Sequence, residues 1–584
     1  MIRIIDPRDA YLDAILKQVD TEAIRKRRLR IVLDPMFGVS LTGLQTILYT
    51  CAGNDLIVSW RYPFSLILHV ICAYHKGKPF RGQSAAGRLV LHRIKKSVQL
   101  QGDIWYNRSR GVRQMKQQVF NPYLPSYEYI PDGEPRVFDG RLYIYGSHDR
   151  FNGGVYCAND YVCWSAPEED LSDWRYEGVI YRKTQDPRNP DGMHALWAPD
   201  VCRGNDGKYY LYYCLDFLKE IGVAVADTPV GPYEFLDFVR YPNGDILGSR
   251  PGEIRQFDPG IFIDDDRRIY LFSGNSPRYK QVPTDKDSLK MELEQDMVTV
   301  KAGPFHNLPI INDADGTEYE AHPFFEASSV RKINGKYYFI YSSCWMHELC
   351  WAVADSPLGD YHFGGVLVSN ADIGVNGNTE ALNYRGNTHG SVAFVNGKWY
   401  VFYHRQTNRH FFSRQACAEE IVFDGEAFHQ AEITSCGLNG GPLKDEGSYE
   451  ARIACHLYSK NGTTESLPDQ QDENHPAFTQ EGEDREDHPN QYISNMVDGA
   501  TAGYRYFDFR NARGISVETR GTGDGEFIVR DGRNGREVSR IRVAPSREWT
   551  CFSAPLSIET GKHALYFTYE GAGSVDFRSF RFNP

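Results

Sequence analysis

Four carboxylates and one imidazole recur at a nearly constant interval ahead of five similar phrases in this chain. Asp132 precedes Tyr143 by 11 residues, Asp200 precedes Tyr210 by 10, and Asp258 precedes Tyr270 by 12. Glu326 precedes Tyr338 by 12 and His389 precedes Tyr400 by 11. Glycoside hydrolysis requires two carboxyl groups of unequal pKa flanking a bound sugar: a protonated acid for the leaving oxygen and an ionised base that activates water. A third carboxylate nearby holds the acid's pKa up by like-charge repulsion. Glu326 sits between Phe324, Phe325 and Ala327, an apolar setting that raises its pKa by desolvation. Asp132 sits in a Pro-Gly turn with polar neighbours and is expected to stay ionised. A lone Asp-Pro is ordinarily a turn or strand cap. Five acidic or imidazole groups in register over five repeats point to one site.

The elements that must position these groups are the phrases themselves: GRLYIYGS from Gly140, GKYYLYYC from Gly207, RRIYLFSG from Arg267, GKYYFIYS from Gly335 and GKWYVFYH from Gly397. Each alternates aromatic and β-branched residues as a half-buried strand does, and a Gly-containing turn precedes four of them. Strand-bearing units recurring at a period of 60 to 68 residues predict an all-β, five-bladed β-propeller. The innermost strand of each blade borders the central channel, so equivalent positions converge on one axis. A packed core does not collect unpaired charge, which is costly to bury. A second repeat, VAVADTPVGPYEF from Val223 and WAVADSPLGDYHF from Trp351, reads as outer-strand material, with Asp227 and Asp355 as turn residues.

As a set, PDGEP, WAPDV, FDPG, FFEASS and THGS resemble the five-bladed propeller glycosidases of glycoside hydrolase family 43, over about Phe120 to Leu443. The resemblance is to xylosidase, arabinofuranosidase and xylanase-type members. It implies Asp132 as general base, Asp200 as the carboxylate that modulates pKa, and Glu326 as general acid. It implies that His389 is an axial histidine facing a structural calcium ion or an ordered water, and that Arg414, in FSRQAC, lies near the sugar. No cofactor is implied for the chemistry, and inversion of configuration is. One departure is Asp132-Gly-Glu134-Pro where a plain Asp-Pro is common, which makes Glu134 a rival for the base. Trp197, Phe257, Phe325 and Trp345 lie close to these motifs and suit stacking on a sugar ring, with inter-blade packing as the alternative for each.

Downstream, residues 446–584 pass from a polar, charge-rich stretch into short alternating strands that read as a β-sandwich. DGATAGYRYFDF and the C-terminal strands resemble a family 6 carbohydrate-binding module, in which Tyr506 and Trp549 are either sugar-binding or core residues. Upstream, residues 5–48 resemble an internal piece of a phosphoglucomutase or phosphomannomutase that lacks the phosphoserine and metal-binding loops. The expectation for 1–114 is a short non-β leader without a function of its own, with Met115 as the natural start and 115–445 as the catalytic propeller.

A net charge of −12 argues against nucleic acid as a partner. The twelve cysteines show no zinc-type spacing. No apolar run is long enough for a membrane span, and without an export signal the expected location is the cytoplasm. The expected activity is release of L-arabinofuranose or D-xylose from xylan or arabinoxylan oligosaccharides. The alternatives are an endo-acting xylanase or a non-catalytic sugar-binding propeller, which would need no raised-pKa acid. A pentose of either kind fits the same acid and base.

Overall fold

The computed structural model describes residues 119–463, 474–486 and 490–584, with the backbone of two short strands before them. The chain divides into two compact units, Met1–Gln114 and Met115–Pro584. In the first, Ile31–Leu33 pairs in parallel with Leu56–Val58, so the leader is not free of strand as expected. The mutase-like fragment otherwise lies outside the described residues.

In the second unit five antiparallel sheets follow one another along the chain. Their innermost strands are Glu134–Phe138, Leu196–Arg203, Gly260–Ile263, Phe324–Ile333 and Val392–Val395. The second strands are Arg141–Tyr145, Tyr209–Leu215, Ile269–Gly274, Lys336–Ser343 and Lys398–Gln406, and each carries one of the five recurring tyrosines. Three of the hairpins joining these pairs turn on Asp139-Gly140, Asn334-Gly335 and Asn396-Gly397. Both residues of each turn have positive φ, between 49° and 81°. Asp-Gly and Asn-Gly adopt this pair of conformations cheaply, and the resulting turn matches the twist of a hairpin.

Five apolar clusters close the sheets into a ring. One joins blades one and two through Tyr145 and Leu211, and the next joins two and three through Tyr212 and Leu271. A third joins three and four through Phe272 and Phe339, and a fourth joins four and five through Ile340 and Val401. The last returns from five to one through Phe402 and Ile144. The second strands are buried on both faces because each is sandwiched between two neighbours; burying such a side chain contributes roughly 1.5–3 kcal/mol. The segment ahead of blade one seals the ring, with the N–H of Tyr123 donating to the carbonyl of Ala416 in blade five across 3.2 Å.

The C-terminal part is two six-stranded sheets around one apolar core. Its first strand, Leu443–Lys444, begins just before the boundary expected at residue 446. The sandwich reaches back to the propeller. Asp484 accepts hydrogen bonds from the N–H of Phe151 at 2.7 Å and from Asn159 Nδ2 at 3.1 Å. Among the described residues no helix is long and apolar enough to cross a membrane.

Candidate active site

The inner strands enter the ring from one end, and three carboxylates are presented there by unusual backbone. Asp132 and Asp258 precede their strands in the left-handed region, with φ of 57° and 43°. Short polar side chains tolerate this region better than others. Glu326 lies within its strand, where the register against the second strand shifts on both sides of it. Ala327 beside it has φ of 73°. A bulge of this kind re-aims a side chain that regular pleating would send elsewhere.

The three carboxylates, His389 and Arg414 line one cavity of about 180 Å³. Trp197, Phe257, Phe325 and Tyr156 supply its aromatic walls. Trp197 meets Phe257 edge-to-face with centroids 5.1 Å apart, so each fixes the other's plane. Apolar faces beside convergent polar groups are what a sugar ring requires.

The two proposed catalytic carboxyls have opposite electrostatics. Glu326 is pushed up to about 8, first by burial and then by the negative charge of Asp258. Asp132 is also buried, yet it is held below the usual carboxylate range, with Arg414 the largest counterweight to that burial. Arg414 Nη1 donates to Asp132 Oδ1 at 3.1 Å. Its Nε and Nη2 donate to Asp149 at 2.8 and 3.0 Å, which fixes the guanidinium plane. The Asp132 N–H donates to His404 Nδ1 at 3.1 Å, and burial holds that imidazole down to about 3, neutral and able to accept. His389 Nδ1 lies 3.4 Å from Asp258 Oδ2. Its imidazole is pushed up to about 9, the pairing with Asp258 outweighing burial. A raised carboxyl alone marks no site: Glu419 is also pushed up to about 8, but it is hydrogen-bonded to Thr434, Asn121 and Tyr403 and is not part of this cavity's lining.

Two sequence expectations, for Asp200 and Trp345, are corrected by these positions, and the rival base Glu134 is set aside. Asp200 does not reach the cavity. Its carboxylate accepts from Arg136 Nε at 2.9 Å and Nη2 at 2.5 Å, and from the N–H of Ile261 at 2.8 Å. Trp197 and Ala198 of the same WAPD motif do line the cavity, and a register shift between Trp197 and Asp200 turns the carboxylate away from it. Asp258 is the carboxylate beside Glu326. Glu134 is likewise withdrawn, accepting from Arg331 Nη2 at 2.6 Å and Ser329 Oγ at 3.0 Å. Two carboxylates and two guanidiniums thus form a neutral, buried plug that ties inner strands together away from the cavity. Finally, Trp345 is 54% exposed and donates its indole N–H to the carbonyl of Ala321, while its neighbour Met346 lines the cavity.

Tyr156 and Asn387 were missed because they stand on loops outside the repeated phrases. The Arg414 guanidinium lies 4.7 Å from the Tyr156 ring centroid. Asp258 occupies in the third blade the repeat position that Asp200 occupies in the second, and the spacing alone does not rank the two.

Comparison with known proteins identifies the family. The profile of Glycosyl hydrolases family 43 matches residues 131–427. A "Xylosidase/arabinosidase" of Thermoclostridium stercorarium is 48% identical over 472 residues, covering 80% of this chain and 99% of the relative. A Bacteroides ovatus protein of the same description is 32% identical over 48% of this chain and 87% of its own length. A solved family 43 arabinoxylan arabinofuranohydrolase of Bacillus subtilis, in complex with cellotetraose, aligns with TM-score 0.43 and 22% identity over 80% of this chain and 99% of that one. The chain belongs to glycoside hydrolase family 43.

Proposed function

We propose that the chain releases terminal L-arabinofuranose or D-xylose from xylan or arabinoxylan oligosaccharides by direct, inverting attack of water. The observation that carries this is the pairing, in one cavity, of Glu326 pushed up to about 8 with Asp132 held low by Arg414. Glu326 gives its proton to the departing glycosidic oxygen. Asp132 takes a proton from the water that attacks the anomeric carbon from the opposite face. Asp258, in place of Asp200, keeps Glu326 protonated near neutrality, and cationic His389 steadies Asp258. Trp197, Phe257 and Phe325 stack on the ring. A cavity of about 180 Å³ suits one pentose and favours end-wise cleavage over endo cutting. The names of the relatives support a pentose in that position.

This chemistry uses no cofactor. Calcium takes six to eight oxygen ligands. The carboxylates that bear on His389 are already engaged: Asp258 with His389 itself, Asp132 with Arg414, and Glu134 with Arg331. The donor set therefore does not fit a calcium cage, and His389 is assigned as the partner of Asp258 in place of a metal ligand. The sandwich is assigned as a brace. Lys562 lies over Tyr506 at 3.9 Å, and Arg520 and Arg578 lie over Trp549 at 4.4 and 4.8 Å, so cations already cover both rings.

Hydrolysis of matched aryl arabinofuranoside and aryl xyloside tests the reading. Release of either pentose, lowered roughly two to four orders of magnitude in Glu326→Gln on unactivated oligosaccharides, is expected. Binding without hydrolysis of any pentoside would replace it with a sugar-binding role.

A further inference from the structure

Outside the cavity, blade four gathers three groups that the hydrolysis does not use. His322 precedes its inner strand, and Glu348 and Cys350 lie two residues apart on its third strand, Glu348–Ala354, hence on one face. One ligand atom from each lies within 4.8 Å of the others, and they form the one such group of His, Cys, Asp and Glu among the described residues. His322 Nδ1 lies 2.6 Å from Glu348 Oε1.

We propose that His322, Glu348 and Cys350 form a zinc site. A nitrogen, a carboxylate oxygen and a sulfur are the donors zinc accepts together, whereas calcium and magnesium take oxygen alone. Donors around tetrahedral zinc stand roughly 3.3–3.8 Å apart, so closing this group needs about an ångström of movement. The surrounding contacts already orient the ligands, as outer partners of a metal site do. The His322 ring stacks on Phe363 at 4.9 Å and 9°. Its backbone carbonyl accepts from Tyr341 Oη at 2.9 Å, and Ser343 Oγ donates to Glu348 Oε1 at 2.6 Å. Cys350 is fully buried and Glu348 nearly so, while the His322 side chain is 26% exposed and gives the ion its entry. Uptake by the neutral imidazole releases one proton: the thiol loses its hydrogen, and the ring proton moves from Nδ1 to Nε2 as Nδ1 takes the metal. No redox change is involved. The fourth position is left for water.

The site has a structural consequence. His322 lies four residues before Glu326, and Glu348 two after Met346 of the cavity wall, so the ion would pin both approaches to the acid.

The test uses the full chain stripped with EDTA and reloaded with cobalt(II) or zinc. One equivalent of cobalt should give a thiolate-to-metal charge-transfer band that zinc abolishes, with a rise in Tm. Cys350→Ser should lose the band, and it and His322→Gln should each bind zinc at least about 100-fold more weakly. Cys551→Ser, at an exposed cysteine, should behave as the parent. If Cys350→Ser does not fold, the half-buried His322→Gln decides. Failure of the stripped parent to bind stoichiometric zinc, or equal binding by parent and His322→Gln, overturns the proposal.

Discussion

The N–H of Ala327 donates to Asp258 Oδ2 across 3.2 Å, so the residue following the buried acid is tied to a carboxylate of the preceding blade. The bond holds a negative charge beside Glu326 without spending the Glu326 proton. Asp258 is the largest influence after burial that raises Glu326, which makes its charge separable from its bulk. Asp258→Asn keeps the shape and removes the charge. The alkaline limb of kcat/KM should then move to lower pH. Every pH unit that the limb moves lowers the protonated acid about tenfold above the new pKa. A limb that stays in place would assign the raised pKa to burial alone.

Asp200 gives the contrasting expectation. It is clamped by Arg136 and by the N–H of Ile261, and so joins the inner strands of the first three blades. Asp200→Asn leaves a buried guanidinium short of its counter-charge, which costs about 3–5 kcal/mol. The urea midpoint should fall while the pH profile of the folded enzyme keeps its limbs. A displaced alkaline limb at normal stability would return Asp200 to the modulating role.

The propeller was legible because its signal is repeated: five phrases with a shared tyrosine imply five similar sheets, and the upstream spacing led to the correct ends of the inner strands. That spacing could not separate Asp200 from Asp258. A bulge of one or two residues decides whether a carboxylate faces the cavity or the plug below it, and bulges leave no periodic trace. Glu134 was a rival for the same reason, since two residues separate a charge in the cavity from a charge in the plug. Tyr156 was invisible because its place depends on a loop held from the distant sandwich by Asp484.

Glu326→Gln should lose roughly two to four orders of magnitude in turnover on poor leaving groups and less on activated aryl glycosides. It should also be more stable than the parent near neutrality. The carboxyl pKa is raised from 4.5 to about 8 on folding, so between those values the folded state holds a proton that the unfolded state has lost. Stability then falls as pH rises through that window. The Tm advantage of the variant should be small near about pH 4.5 and grow toward about pH 8. An advantage independent of pH would mean that the carboxyl is not protonated in the free enzyme.

Asp484→Ala tests the brace. Losing the bonds to Phe151 and Asn159 frees the loop that carries Tyr156 and Cys157 to the cavity. Displacement of about an ångström at a binding wall costs up to about 100-fold in rate. The expected result is a raised KM and a kcat/KM lower by about ten- to a hundredfold, with far-ultraviolet circular dichroism unchanged. Unaltered kinetics would confine the sandwich to a role away from the active site.

The stereochemistry of the first product tests the role of Asp132. A water must fit between the base and the anomeric carbon, so an inverting site needs its two carboxyls roughly 6.5–9.5 Å apart, whereas a nucleophile forming a covalent intermediate needs about 5–5.5 Å. Asp132 is poorly suited to be that nucleophile, because Arg414 and His389 stabilise its negative charge. A charge so well stabilised is a weak attacker at carbon but remains able to accept a proton from water as the glycosidic bond breaks. Proton NMR of the first minutes of hydrolysis should therefore show sugar of inverted anomeric configuration, before mutarotation mixes the anomers. Asp132→Asn should abolish turnover with no rescue by Glu134, whose carboxylate is committed to Arg331. A first-formed product of retained configuration, or activity that survives in Asp132→Asn and disappears in Glu134→Gln, would move the base and change the mechanism.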